Sequence, residues 1–191
     1  MGQAVITNLK NHLLVATSEL NGGFFERAVI YMANQTAEGA MGLVVNQPMN
    51  KVGFGDVLRS MGIEEMLANT RRQPLIYRGG PVDNNRGFVL HSSEYNLKST
   101  IAITSEIALS AQADIVGDIA RGQGPRNLNF CLGYAGWNPG QLEKELATNS
   151  WLVVPADKQL LFDVPPEERY AAATRKLGLN SLNFMDIVGR A

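Results

Sequence analysis

The sequence predicts an α+β fold built on a mixed or antiparallel sheet. Short apolar runs rich in Val, Ile, Leu, Tyr and Phe come in groups through the first half of the chain, and helical patterns become commoner later. A doubly wound fold would alternate strand and helix strictly, so this grouping favours α+β. The composition, 45% hydrophobic and 18% charged, suits a compact protein with a core.

Five strands and one helix are predicted in the first half. The helix covers residues 54–61, where apolar side chains recur at i, i+3, i+4 and i+7 from Phe54 and form one face. Apolar runs bounded by turn residues place the strands at 12–16, 28–33, 40–45, 74–78 and 87–91.

The second half mixes strands and helices. Strands are predicted at 100–103, 107–110, 128–132 and 151–154. Helices are predicted at 114–120, 139–147 and 166–177, the first of them ended by the breakers at 122–125. No repeat period or low-complexity tract divides the 191 residues, so we expect one domain over residues 1–191.

The charge balance argues against direct nucleic-acid binding. Lys and Arg total 17 against 18 Asp and Glu, which leaves no net positive field for phosphates. The first residues lack a signal-peptide pattern, and no apolar run approaches the length of a membrane span. The single cysteine, Cys131, excludes an intramolecular disulfide and suits a reducing compartment. We therefore expect a cytoplasmic protein without membrane contact.

Motifs for cofactors and metals are missing from the sequence. It contains no phosphate-binding P-loop, nucleophile elbow, HExxH or CxxC pattern, and its two G-x-G starts lack the third glycine of a dinucleotide fingerprint. One Cys and two His supply too few favoured ligands for structural zinc. We expect no cofactor and no metal.

The segment from residue 78 to residue 87 is the best candidate ligand site. Arg78 and Arg86 flank a linker rich in Gly, Pro and Asn, and the backbone N–H groups of Gly79 and Gly80 could cradle a carboxylate or phosphate. The alternative is an ordinary glycine turn with surface arginines.

Two further residues are weak candidates for catalysis. His91 ends a predicted strand beside two serines and could serve as acid or base, or could be a hydrogen-bonded structural residue. Asp157 is a possible orienting carboxylate for it. Cys131 lies in an apolar strand, which favours a small buried side chain over a nucleophile.

The stretch GYAGWNPGQLE, residues 133–143, looks glycine-rich but fits the start of a helix. Asn138 suits the N-cap, Pro139 the first helical position, and Gln141 a return bond to the cap backbone. Trp137 and Leu142 are then spaced to form a hydrophobic staple. The alternative is an anion site at the helix start, which the missing Pro139 donor disfavours.

Three blocks of the sequence together resemble the YqgE/AlgH family of small bacterial proteins. They lie at residues 25–48, at residues 79–92, and from residue 133 to residue 157. The resemblance implies an α+β fold with a small closed β-barrel surrounded by helices. It implies no enzymatic activity, and a regulatory function only through the proposed role of one member group in alginate synthesis.

Two functional hypotheses follow. The first is a non-enzymatic binding or regulatory module that acts through an unknown protein partner or a small ligand at residues 79–91. The second is an enzyme or sensor for a small anionic metabolite, in which Arg78 and Arg86 position the anion and His91 and Asp157 handle protons. The second requires Arg86, His91 and Asp157 to lie within one site.

Overall fold

The computed structural model describes residues 8–69, 73–111 and 113–178. Nine strands and five α-helices are found in these residues. The strands are β1 (His12–Ala16), β2 (Val29–Thr36), β3 (Gly39–Val44), β4 (Ile76–Arg78), β5 (Val82–Ser92), β6 (Ile101–Ala102), β7 (Ile107–Ser110), β8 (Leu128–Trp137) and β9 (Trp151–Pro155). The helices are α1 (Phe54–Ser60), α2 (Ala113–Ala120), α3 (Gln141–Ala147), α4 (Lys158–Phe162) and α5 (Pro166–Lys176).

All nine strands join one mixed sheet, as the sequence predicts. Its order is β6-β7-β5-β8-β3-β2-β1-β9, with antiparallel neighbours throughout, and β4 lies parallel to β8 outside this path. The long strand β8 connects the two halves, because its first part pairs with β5 and its last part with β3. That residues 1–191 form one domain stays a prediction.

The prediction of a closed β-barrel is wrong. The sheet curls strongly into a half-barrel that remains open, and among the described strands β6 and β9 end the path without pairing to each other. Closure would require pairing along these two edges. Strand β6 has only two residues, both exposed, so it offers too little backbone for that pairing.

The central strands are buried on both faces, which explains their continuous apolar runs. Leu13 and Val15 of β1 face one core cluster, and Leu14 and Ala16 face another. Successive side chains of a strand point to opposite faces, so both faces of β1 are covered. A third cluster packs α1 and α2 against the sheet through apolar side chains that include Phe54, Ile115 and Phe130.

Most predicted helices are confirmed within one or two residues, but α4 was missed. Its five residues are too few to display a helical period, although Asp157 caps its start. Helix α1 begins after Gly53, whose N–H donates to Oδ2 of Asp56 over 2.9 Å. None of the described helices is both long and apolar enough to cross a membrane.

The stretch 133–143 contains the end of β8, a turn and the start of α3, and the predicted N-cap at Asn138 is wrong. Helix α3 begins at Gln141, and Gly140 precedes it with a φ of 74°. A turn closes where the Gln141 N–H donates to the Asn138 carbonyl over 3.0 Å, and Pro139 and Gly140 occupy its two middle positions. The return bond exists, because the Asn138 N–H donates to Oε1 of Gln141 over 3.0 Å.

The same stretch anchors a buried polar contact. Both predicted staple residues, Trp137 and Leu142, belong to one core cluster. The carboxylate of Glu145 accepts from the indole N–H of Trp137 over 2.9 Å and from that of Trp151 over 2.7 Å. These bonds satisfy two large side chains that would otherwise bury an unpaired donor, so the motif has a structural role.

Candidate functional site

A wide bulge distorts β5 where the sequence predicts the ligand site. Val82 pairs with Tyr134 and Gly87 with Leu132, so residues 83–86 of β5 lie opposite the single residue Gly133 of β8. The exposed bulge includes Asp83 at a φ of 50°. Bulges of this kind change the direction of side chains, and Arg86 is the last residue of this one.

Gly79 and Gly80 are required by close packing against β8. A Cβ on Gly79 would lie 2.4 Å from the Gly133 carbonyl oxygen, and one on Gly80 would lie 1.9 Å from the Tyr134 carbonyl carbon. The N–H of Gly79 donates to the Leu132 carbonyl over 2.9 Å, so Gly79 has no donor left for a ligand. The predicted anion cradle at Gly79 is therefore wrong.

Arg78 is exposed at the end of β4 and is held by two contacts. One of its Nη atoms donates to Oε1 of Gln47 over 3.1 Å. Its guanidinium carbon lies 4.6 Å from the centre of the Phe24 ring. An aromatic face attracts a cation without neutralising it, so Arg78 keeps its full charge while its position is restrained.

Arg86 has a similar environment on β5, which pairs with the opposite edge of β8 from β4. Its guanidinium carbon lies 5.2 Å from the centre of the Phe88 ring. Within the described part of the chain neither Arg78 nor Arg86 forms an ion pair, in contrast to Arg59 and Arg121, which pair with carboxylates on their own helices.

Arg78, Gly80 and Arg86 line one pocket, which we call the Arg78–Arg86 pocket. Its volume is about 770 Å³. Asn84 and Asn85 also line this pocket. The remaining wall is mainly apolar and comes from Phe24, Met49, Val52, Val57, Met61, Val116, Phe130 and Leu132. The pocket therefore combines two cations with an apolar surface, a pattern typical of sites for organic anions.

One carboxylate, that of Asp56, also lies on the wall of this pocket. A backbone bond from Gly53 and the neighbouring Arg59 guanidinium lower the pKa of Asp56. It is therefore charged at neutral pH, and its Oδ1 is paired with Arg59 over 2.8 Å. This pairing weakens the repulsion that Asp56 would exert on a bound anion.

His91 lies in the core, away from the pocket. Its side chain is fully buried, with Nδ1 2.9 Å from the Ser92 carbonyl oxygen and Nε2 2.9 Å from Oγ of Ser110. Burial lowers the pKa of His91, so the ring is neutral at pH 7. Arg86 and His91 are five residues apart on β5, roughly 16 Å, so they do not share one site.

Asp157 caps a helix instead of facing the pocket. Its Oδ1 accepts from the Leu160 N–H over 2.7 Å, and its Oδ2 pairs with Lys176. Burial is the largest single effect and raises the pKa of Asp157, but Lys176 and the cap bond together outweigh it and lower that pKa overall. Asp157 and His91 are not brought together with the arginines.

Cys131 is a buried packing residue. It is fully buried in β8, and burial raises the pKa of its thiol to about 12. A thiol with this pKa holds almost no thiolate at neutral pH, and the thiolate is the nucleophilic form. Among the described residues no cluster of three or more His, Cys, Asp and Glu is arranged to hold a metal ion.

The apolar wall of the pocket was missed by sequence reasoning. Helix α1 supplies Val57 and the residue after its last turn, Met61, while α2 supplies Val116. The sequence places Val57 and Met61 on one apolar helical face but does not show that Met61 stays 37% exposed at the pocket. The packing of these two helices beside the β5 bulge depends on tertiary contacts that no local pattern reports.

The fold and the site together define a class: a small α+β protein with a curled, open sheet and an arginine-lined pocket at its main bulge. The chain belongs to the AlgH-like family, whose profile matches residues 13–182. The family resemblance noted in the sequence is thereby confirmed.

Relatives in several bacteria cover nearly the whole chain. The UPF0301 protein of Saccharophagus degradans is 44% identical over 173 residues, which cover 91% of this chain and 84% of that protein. The UPF0301 protein of Pseudoalteromonas translucida is 38% identical over 184 residues, 96% of this chain and 99% of that protein. These names state no molecular activity.

Two solved structures are similar. The solution structure of the AlgH protein from Pseudomonas aeruginosa matches with a TM-score of 0.76 and 39% identity, over 100% of this chain and 98% of that one. An X-ray structure of a protein from Corynebacterium diphtheriae matches with a TM-score of 0.68 over 92% of this chain and 89% of that one. The latter is 17% identical, so its likeness concerns the fold alone.

Proposed function

We propose that this protein is a non-enzymatic binding module whose Arg78–Arg86 pocket takes a small organic anion. The observation that carries the proposal is the convergence of two arginines on one pocket with an apolar wall, neither of them ion-paired to a described residue. A regulatory role, which the family resemblance associates with relatives, would act through this binding step. The cytoplasmic location expected from the sequence stays a prediction.

The two cations favour a ligand with a phosphate or two carboxylates. A guanidinium offers a planar fork of donors that matches carboxylate and phosphate oxygens, and two of them can neutralise a dianion. The Phe24 and Phe88 rings restrain the two guanidinium groups before binding, which lowers the entropy lost on binding. The apolar wall would then contact the uncharged part of the ligand.

The enzyme hypothesis loses its support because its parts lie in different places. His91 has both ring nitrogens engaged inside the core, and Asp157 caps α4. Neither lines the Arg78–Arg86 pocket. A general acid or base must reach its proton directly or through one water, so the arrangement favours binding over catalysis.

A thermal-shift screen with inorganic phosphate, citrate and phenyl phosphate tests the proposal. Phenyl phosphate, which carries both a dianion and an apolar ring, should stabilise most. A ligand at 100 times its Kd adds about 2.7 kcal/mol to the free energy of unfolding. For a chain of this length that corresponds to a rise in Tm of roughly 5 to 10 °C.

The double variant Arg78→Ala/Arg86→Ala should abolish this shift. Arg175→Ala is the matched control, because Arg175 is also exposed and lies on α5 outside the pocket. Equal shifts in the wild type and the double variant would contradict the proposal, as would the absence of any shift with all three probes.

A further inference from the structure

A second, separate cavity lies between β4, the start of β8 and the segment from α4 to α5. Its volume is about 380 Å³, and we call it the Arg169 cavity. Apolar and proline side chains make up much of its wall, among them Leu75, Ile119, Leu128, Phe162, Pro165 and Pro166. None of its lining residues belongs to the Arg78–Arg86 pocket.

Arg169 is a buried cation on the wall of this cavity. Its side chain is on α5, and the residue is only 3% exposed. Nε donates to the Val164 carbonyl over 2.8 Å, and Nη1 donates to the Val45 carbonyl over 2.5 Å and to Oδ1 of Asn129 over 3.0 Å. These bonds use three of the five N–H groups of the guanidinium.

The two remaining N–H groups are both on Nη2, and the guanidinium also forms a hydrogen bond with the hydroxyl of Tyr77. One N–H group is then left for a ligand. Among the described residues, every side-chain nitrogen that is sealed from solvent has a hydrogen-bond partner. We therefore infer that Nη2 is accessible from the cavity, which Arg169 lines. The charge also lacks a carboxylate within 4 Å among the described residues, although Glu167 acts on it from a longer distance. A buried charge without a partner is costly, so the site is prepared for an anion.

Tyr77 supplies a second free donor beside Arg169. It is 3% exposed and lines the same cavity. Its hydroxyl oxygen accepts from the Arg169 guanidinium, which leaves the O–H group to donate to a ligand. The guanidinium carbon of Arg169 lies 5.5 Å from the centre of its ring. Burial raises the pKa of Tyr77, although Arg169 opposes this, so the phenol is neutral at pH 7 and can donate.

We propose that the Arg169 cavity binds an organic monocarboxylate. One carboxylate oxygen would accept from Nη2 of Arg169 and the other from the hydroxyl of Tyr77, while the hydrocarbon part lies against the apolar wall. Two donors suit a carboxylate better than the three oxygens of a phosphate. Asp163 at the cavity wall further disfavours a dianion, while the exposed Arg126 partly offsets its charge.

Sodium benzoate titrated into the full chain, followed by ¹H–¹⁵N NMR, tests this proposal. The expected result is saturable shifts at residues around the cavity. Tyr77→Phe should weaken benzoate binding roughly tenfold, because it removes one hydrogen bond to a charged group. This variant should still fold, since it keeps the ring and loses only the contact between the hydroxyl and Arg169, whereas variants of Arg169 lose several structural bonds.

Two controls separate this site from the proposed function. Tyr134→Phe makes the same chemical change at a tyrosine outside the cavity and should leave benzoate affinity unchanged. The Arg78→Ala/Arg86→Ala variant should also bind benzoate normally, so the two sites can fail independently.

Three results would overturn the proposal. One is no saturation up to about 20 mM benzoate, where a site with a Kd of about 1 mM would be nearly full. Another is equal affinity in the wild type and Tyr77→Phe. The third is phenyl phosphate shifting the same residues as tightly as benzoate does.

Discussion

Arg86 and Arg169 are both arginines without a close carboxylate partner among the described residues, yet they lie in opposite environments. Arg86 is exposed on a bulge, where water can solvate its charge and its guanidinium lies over the Phe88 ring. Arg169 is buried and bonded to two carbonyls and an amide. The first is free to serve a ligand alone, whereas the second also joins α5 to the rest of the fold.

The largest expected difference is between the stabilities of variants that replace each arginine. Arg169→Met leaves three acceptors without this donor, so the free energy of unfolding should fall by roughly 3 kcal/mol or more. Arg86→Ala should change it by no more than about 0.5 kcal/mol. Urea denaturation measures both, and similar losses in the two variants would contradict the comparison.

Gly79 and Gly80, like Arg169, should matter for the stability of the fold. Gly80→Ala places a Cβ 1.9 Å from backbone that cannot move aside, so it should cost roughly 2 kcal/mol or more. Gly23→Ala is the control, because its nearest neighbour would lie at 3.5 Å. If Gly80→Ala and Gly23→Ala were equally stable in urea denaturation, the segment after β4 could move away from β8, and the claim of close packing would be wrong.

His91 should affect stability through pH and leave ligand response unchanged. Its pKa is lowered in the folded state by burial, so the unfolded chain takes up the proton first. The stabilisation is complete above about pH 6.5 and is lost as pH falls below it, at up to roughly 1.4 kcal/mol per pH unit.

Urea denaturation from pH 7.5 to 5 measures this slope, and His91→Gln should lack it. If His91→Gln kept its stability but lost the rise in Tm that phenyl phosphate causes, His91 would be part of the ligand site after all.

The fold was largely predictable because its central strands and α1 have strong local patterns. The open barrel was not, since closure depends on the length of the edge strand β6. Residues 137–141 misled prediction because Asn-Pro-Gly suits both a helix cap and a turn, and Gly140 selects the turn by adopting a positive φ.

The site was predictable only in its charged half. Arg78 and Arg86 flank the short linker between two predicted strands, and this proximity is visible in the sequence. Arg169 was missed because Glu167, Glu168, Arg175 and Lys176 give α5 the look of a solvated helix. Its burial rests on a bond to Val45, 124 residues away, which no local pattern reports.

Calorimetric titration of phenyl phosphate into the wild type and the Arg78→Ala/Arg86→Ala variant tests the central claim most directly. Saturable binding to the wild type should be weakened at least roughly tenfold in the variant, because charge-assisted hydrogen bonds from two arginines are lost. Arg175→Ala should bind as the wild type does. Equal affinity in all three proteins would contradict the assignment of this pocket.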